Sequence, residues 1–363
     1  MVLSTPTGQL RRPAVAVLLG LTLALLGAGL ALGMGLPLPW LLGPLLVTAG
    51  TRIAGVPSRC PPAVNRAGRW VIGMSLGLYF TPEVGASVLQ HWPLILFGMV
   101  HALLLAAVGC VVYHRLGGLD LATAWFAAAI GSASEIANMA QRAGARVDQV
   151  VSAHSLRVLL IVLLVPFGFQ WVLGDLPASA DVRDVRWPGL AVLLSVSLVA
   201  VWVGGRLRLP NPWILGPLLL VMGLSLADVR LSALPSWLSW AGQLCIGWSL
   251  GDRYRPDFLR SAPRLLSVVG VMSLSFLGLT LLLSQGLSWL TGLPVSTLVL
   301  GLVPGGIAEM TITAKVLGLG VPVVTAMQVL RMLCVVFATP PLYRWLIQPR
   351  CREGGAADQH SGR

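Results

Sequence analysis

From Pro13 to Ile347 the chain is a succession of apolar runs, each about 15 to 25 residues long, joined by short polar loops. Each run is near the roughly 20 residues a helix needs to cross a bilayer. About ten to twelve such segments fit, which leaves no room for a soluble domain. Hydrophobic residues make up 56% of the chain and charged residues 10%, so water is not its main solvent. The expected fold class is an all-α polytopic membrane protein, with the lipid bilayer as its first partner.

The net charge of +12 does not point to nucleic acid. The arginines stand singly or in small groups at the ends of apolar runs, which is a topology signal rather than a binding face. Lys315 is the only lysine. Cys60, Cys110, Cys245, Cys334 and Cys351 have no metal-like spacing and read as small buried hydrophobes. His91, His101, His114, His154 and His360 include no pair at a spacing of three or four beside a carboxylate. No metal site or cofactor is expected. A phosphate-binding glycine loop and a nucleophile elbow are both missing, so no enzymatic activity is expected either.

The chain repeats itself. Leu36-Pro37-Leu38-Pro39-Trp40-Leu41-Leu42-Gly43-Pro44 returns as Leu209-Pro210-Asn211-Pro212-Trp213-Ile214-Leu215-Gly216-Pro217, an offset of 173. At an offset of 174, Gly73, Ser75, Gly77, Gly131, Glu135, Gly144, Arg157 and Pro166 return as Gly247, Ser249, Gly251, Gly305, Glu309, Gly318, Arg331 and Pro340. Arg11-Arg12-Pro13 has its echo in Arg186-Trp187-Pro188, so the first apolar run belongs to the fold rather than to a leader. The divisions are a first repeat at 1–174, a periplasmic linker at 175–186, a second repeat at 187–348 and a disordered cytoplasmic tail at 349–363.

Loop charges set the relation between the copies. Arg52, Arg59, Arg66 and Arg69 crowd one loop of the first copy, whereas the equivalent loop of the second has only Arg230. In the next loop the first copy has Glu83 and no arginine, while the second has Arg253, Arg255, Arg260 and Arg264. The bias changes sign, which predicts two inverted repeats of five transmembrane helices each. Each copy nevertheless has six apolar segments, in the first at about 13–35, 38–54, 67–80, 92–114, 120–141 and 154–174. One segment must therefore be re-entrant or broken. The fifth is the best candidate, around 131–141 and 303–315, because it is short, rich in Gly and Ser/Thr, and carries a carboxylate. Both termini are then cytoplasmic, in a bacterial inner membrane.

Glu135 and Glu309 are ionisable groups inside apolar runs, which by default mark a functional site. Arg157 and Arg331 follow each of them by 22 residues as counter-charges. Two readings stay open, structural ion pairs between segments five and six or a central site for a solute or coupling ion. Ser132, Ser134 and Asn138 in one copy, with Gly305, Gly306, Thr311 and Thr313 in the other, either line that site or permit close packing. Pro44, Pro217 and Pro304 are candidate helix breaks.

The run Pro304-Gly305-Gly306-Ile307-Ala308-Glu309-Met310, followed by Leu330-Arg331 and Pro340, resembles the membrane AbrB family, as do the Leu-Gly-Pro elements at 42–44 and 215–217. The resemblance covers nearly the whole chain and implies an internal duplication. It also implies the labels its members carry: transporter, ammonia monooxygenase, or regulator of gene expression. Gly131-Ser132-Ala133-Ser134-Glu135 departs from the proline-glycine-glycine form. The preferred reading is a secondary transporter of a small solute. The alternative is a membrane-embedded regulator of gene expression that transports nothing. Oligomeric state is left open, with a homodimer as one option.

Overall fold

The computed structural model describes residues 13–174, 184–229, 231–254, 256 and 263–349, and every regular element among them is helical. The first copy contributes α1 (Pro13–Gly33), α2 (Pro39–Ile53), α3 (Pro62–Gly77), α4 (Pro82–Gln90), α5 (Trp92–Arg115), α6 (Leu121–Ala128), α7 (Ala133–Arg142) and α8 (Val147–Leu173). The second contributes α9 (Trp187–Arg206), α10 (Pro212–Leu226), α11 (Ser236–Gly251), α12 (Pro263–Thr291), α13 (Val295–Leu302), α14 (Ile307–Val316) and α15 (Val321–Leu342), which ends in a π-helical turn at Tyr343–Ile347. Helices α1, α5, α8, α9, α12 and α15 are long and apolar enough to cross a membrane. The chain is thus an all-α polytopic membrane protein. Helices α2, α3, α10 and α11 have 15 or 16 residues, or about 23 Å at 1.5 Å per residue. Most of the expected linker and tail, together with Arg11 and Arg12, lies outside the described residues.

The repeat extends to backbone conformation. Helix α2 is entered through Leu38 (φ 52, ψ 52) and α10 through Asn211 (φ 53, ψ 60), both left-handed and both followed by proline. Proline disfavours the right-handed helical region for the residue before it, and fixes the first turn after it. A left-handed leucine costs about 1–2 kcal/mol. Leu38 bears that strain with its side chain buried, while Asn211 accepts a hydrogen bond from Arg69 at 3.0 Å.

The chain divides into two compact units that cut across the repeats. One holds residues up to Gly68 together with 240–257. There α1 and α2 touch backbone to backbone, since a Cβ on Gly27 or Gly43 would strike the other's carbonyl. Helix α11 of the second copy lies on α2. A Cβ on Gly247 would strike the Leu41 carbonyl, and one on Gly251 would come within 2.8 Å of the Leu45 carbonyl. Trp40 stacks on Trp240 at 5.6 Å, and Arg52 pairs with Asp252 at 3.4 Å. The other unit holds 69–239 and the chain from 258 on. There α3 of the first copy lies on α10, where a Cβ on Gly73 would come within 2.5 Å of the Ile214 carbonyl and one on Gly77 within 2.9 Å of the Leu218 carbonyl. Trp70 donates to Ser197 at 2.9 Å. Each copy's third helix therefore packs on the other copy's second helix through matching residues, which is why compactness ignores the boundary at 174.

Pro44 and Pro217 do not break their helices. Both α2 and α10 run through them, and only Pro304 lies at a break, between α13 and α14. Each of the two continuous prolines sits instead under a crossing glycine, Pro44 beneath Gly247 and Pro217 beneath Gly73. Gly247→Ala is expected to lower the melting temperature of the detergent-purified protein, because overpacking against backbone costs about 1–3 kcal/mol. Gly29→Ala, where a Cβ meets nothing, should leave it unchanged. Equal melting of both variants would rule out the close crossing.

Candidate functional site

The fifth segment of each copy is a helix, a break and a second helix that returns to where the first began. In the first copy α6 enters at Asp120, whose carboxylate accepts from the Thr123 amide at 2.8 Å and pairs with Arg146 at 3.5 Å. Arg146 follows α7, and its amide donates to the Thr123 hydroxyl at 3.0 Å. In the second copy Thr297, in the first turn of α13, touches Gly320, just past α14. Each segment is thus a helical hairpin closed at its base. The chain leaves each hairpin at its base through Gly144 (φ 73) and Gly318 (φ 67), a left-handed conformation that favours glycine. The tips are residues 129–132 and 303–306.

A broken helix leaves carbonyls without partners, and lipid supplies no water to satisfy them. Arg157 on α8 donates to the Ala128 and Ala129 carbonyls at 3.4 and 3.0 Å, and to His154 Nδ1 at 3.1 Å. His154 Nε2 in turn meets the Phe126 carbonyl at 3.0 Å. Arg331 on α15 donates to the Val303 and Gly305 carbonyls and to Gln328 Oε1, the last two at 2.8 and 2.7 Å. Gln328 Nε2 donates to the Leu300 carbonyl at 2.6 Å. His154 and Gln328 are 174 residues apart, as are Phe126 and Leu300, so one brace is built twice from different side chains. Spacing alone makes both arginines counter-charges to Glu135 and Glu309. Their bonds go instead to backbone carbonyls at the end of each first half-helix, where the helix dipole also favours a cation.

Each tip lies against the sixth segment of the other copy. A Cβ on Gly131 would come within 3.4 Å of Val335 on α15 and one on Gly305 within 3.2 Å of Ile161 on α8, and Ile161 and Val335 are again 174 apart. Helix α5 shows the hairpins' directions. Its first turns, at Leu94 and Ile95, pack with Leu298 and Val323 at the base of the second hairpin. Gly98 faces Leu302 next to the second tip, and Leu105 packs on Ile130 in the first tip. Tyr113 packs with Leu119 and Ala124 at the base of the first hairpin. The bases therefore lie toward opposite ends of α5, with both tips between them.

The acids sit differently in the two copies. Glu309 is buried, and its carboxylate lies against Gly306, where a Cβ would collide with it. Ser132 holds the position equivalent to Gly306 in the first copy, and its hydroxyl lies 3.2 Å from that of Ser134. Glu135 is half-buried, while Ser134 and Asn138 are exposed. Thr311 and Thr313 are buried and donate to the Ile307 and Glu309 carbonyls of their own helix at 2.5 and 2.8 Å. Their hydroxyls are satisfied locally and do not converge with the two serines.

Sequence reasoning passed over three groups. The roles of His154 and Gln328 were hidden because the residue types differ, although the 174-residue spacing linked them. Lys315 ends α14 with its ammonium donating to Ser75 and Ser239 at 2.6 and 3.0 Å, 5.9 Å from the Tyr79 ring. Its uniqueness among 25 basic residues was the available signal. Among the described residues no three His, Cys, Asp or Glu side chains gather as metal ligands. Gln328→His is expected to melt like the parent, since the first copy already uses histidine there. Gln328→Leu orphans a buried carbonyl and an arginine N–H, at about 1–3 kcal/mol for each unpaired group. Equal melting of the two variants would contradict the brace.

The profile of a family described as Transition state regulatory protein AbrB matches residues 40–347. An uncharacterized Bacillus subtilis protein named YhjN is 29% identical over 342 residues, covering 86% of this chain and 88% of its own length. A protein of Escherichia coli K12, named AbrB and described as a proposed regulator, is 26% identical over 319 residues, covering 87% and 92%.

Proposed function

The chain belongs to the AbrB family, and we propose that within it this protein is a secondary transporter whose two inverted repeats give alternating access to a small solute at the hairpin tips. The observation that carries this reading is the approach of two hairpins to the middle of α5 from its opposite ends. Irregular backbone at membrane depth is tolerated where protein or a wet cavity surrounds it, and such tips are where transporters of this kind hold solute. Glu135 and Glu309, each in the first turn of the returning half-helix, orient the solute or bind a coupling ion. Arg157 and Arg331 fix the tips that present it.

The two hairpins differ as alternating access requires. Ser134, Asn138, Gln141 and Arg142 form an exposed polar face on α7, whereas residues 307–314 of α14 are all buried. A polar face of this kind belongs to water rather than lipid. Arg115, Arg142 and Arg146 surround the base of the first hairpin, and by the positive-inside rule that base faces the cytoplasm. The state is then open inward and closed outward, with Lys315 tying α14 to Ser75 of α3 and Ser239 of α11. The termini are cytoplasmic and the membrane is the bacterial inner one. A regulatory role, which the Escherichia coli relative's name suggests for that protein, would require a partner at the arginine-rich loops and no solute passage.

Right-side-out vesicles with and without the protein, given a carbon-13-labelled metabolite extract, should differ in retention of at least one small solute, and Glu309→Gln should reduce that difference. Identical retention with and without the protein contradicts transport. In a cysteine-free background, Asn138→Cys should react with an impermeant maleimide from the cytoplasmic side while its repeat mate Ile312→Cys stays protected. Adding Lys315→Ala should expose Ile312→Cys to the outside and protect Asn138→Cys. Labelling at the two positions that does not move in opposite directions contradicts the alternation.

A further inference from the structure

We propose that the junction of the two hairpin tips binds a small anion, a carboxylate or an oxyanion of similar size, and that His101 contacts it. The proposal rests on the transporter reading and narrows its solute class.

His101 is the first observation. It lies on α5 between Gly98, which faces Leu302 next to the second tip, and Leu105, which packs on Ile130 of the first. The imidazole is therefore level with both tips. It is 5% exposed, stacks on Phe97 at 6.0 Å, and neither ring nitrogen has a hydrogen-bond partner. A neutral imidazole offers one donor and one acceptor. Buried polar atoms in native proteins are almost always satisfied, so an unpaired pair of this kind marks a place for a ligand or water.

The second observation is the balance of donors and acceptors around the tips. Carbonyls at the ends of α6 and α13, which could otherwise coordinate a cation, already accept from Arg157, Arg331 and Gln328. Donors are what remain. Arg157 is also bonded to the Tyr113 hydroxyl, whereas the Nε of Arg331 is buried and unpartnered on a residue 3% exposed. The first turns of α7 and α14 have no side-chain cap, and their amides and dipoles favour negative charge. Arg331 lies within electrostatic range of both Arg157 and His101. The nearby acids are Glu309, seated against its own tip, and Glu135, on the half-exposed turn. Two guanidiniums bonded to neutral acceptors repel a cation and leave room for an anion's charge.

The test uses the full-length protein in lipid nanodiscs, melted with sodium acetate, succinate, phosphate or sulfate. Sodium gluconate serves as a bulky control, and potassium and ammonium chloride as cation controls. At least one of the four small anions should raise the melting temperature saturably. His101→Leu should melt at or above the parent without anion, because an apolar group removes two unpaired atoms, yet bind that anion about tenfold or more weakly. His101→Gln, which keeps a donor and an acceptor, should retain part of the response. No saturable shift with any of the four anions, a shift with cations alone, or an undiminished response in His101→Leu overturns the proposal. Saturable anion binding without vesicle uptake would remove the transporter reading and leave this site standing. Uptake of a cationic or neutral solute, with no anion shift, would do the reverse.

Discussion

The structure depends on how two interrupted helices are closed off in a medium without water. Ending α6 and α13 in the protein interior strands carbonyls that must find partners there, and a guanidinium with five donors is suited to collect several at once. Arg157 and Arg331 do this from the neighbouring helix, steadied by His154 and Gln328. Once the first half-helix ends, the second begins with free amides at the same depth. Each tip thus places a positive helix end and a carboxylate where the copies meet. The arginines make the break affordable in energy, and the break makes the site.

The second constraint is the exchange of third helices. Glycine opposite backbone at Gly73 and Gly247 allows α3 and α11 to approach α10 and α2 more closely than any side chain would permit. Because each partner belongs to the other copy, neither repeat completes its own packing. This arrangement links the two halves of the sequence without a long connection, and it places Ser75 of the first copy beside Lys315 of the second.

Much of this was legible in the sequence. Apolar run length gave the membrane fold, and the 174-residue register gave the two copies. The Gly-rich fifth segment with its carboxylate identified the hairpins, because only a short, small-residue segment tolerates a turn at that depth. The arginine partners were not legible, since a charge pattern suggests carboxylates and says nothing of which carbonyls a break will strand. Nor were the proline consequences, because a proline's effect depends on what packs over it, and Gly73 and Gly247 come from far along the chain. His101 was invisible as a site residue, having no repeat partner of its type and no neighbouring ligand in sequence.

The two hairpins also differ in a way their shared ancestry does not require. Gly306 leaves room for Glu309 to fold onto its tip, whereas the first copy has Ser132 at that position and its Glu135 is only half-buried. One half-helix is sealed and the other shows a polar face. The most direct test of this account is the sidedness of the hairpin bases, at the repeat-matched positions Arg142 and Val316. In a cysteine-free background, Val316→Cys should react with an impermeant thiol reagent in intact spheroplasts, and Arg142→Cys only after lysis. Labelling of both from the same side would contradict the opposed hairpins and the alternating mechanism built on them.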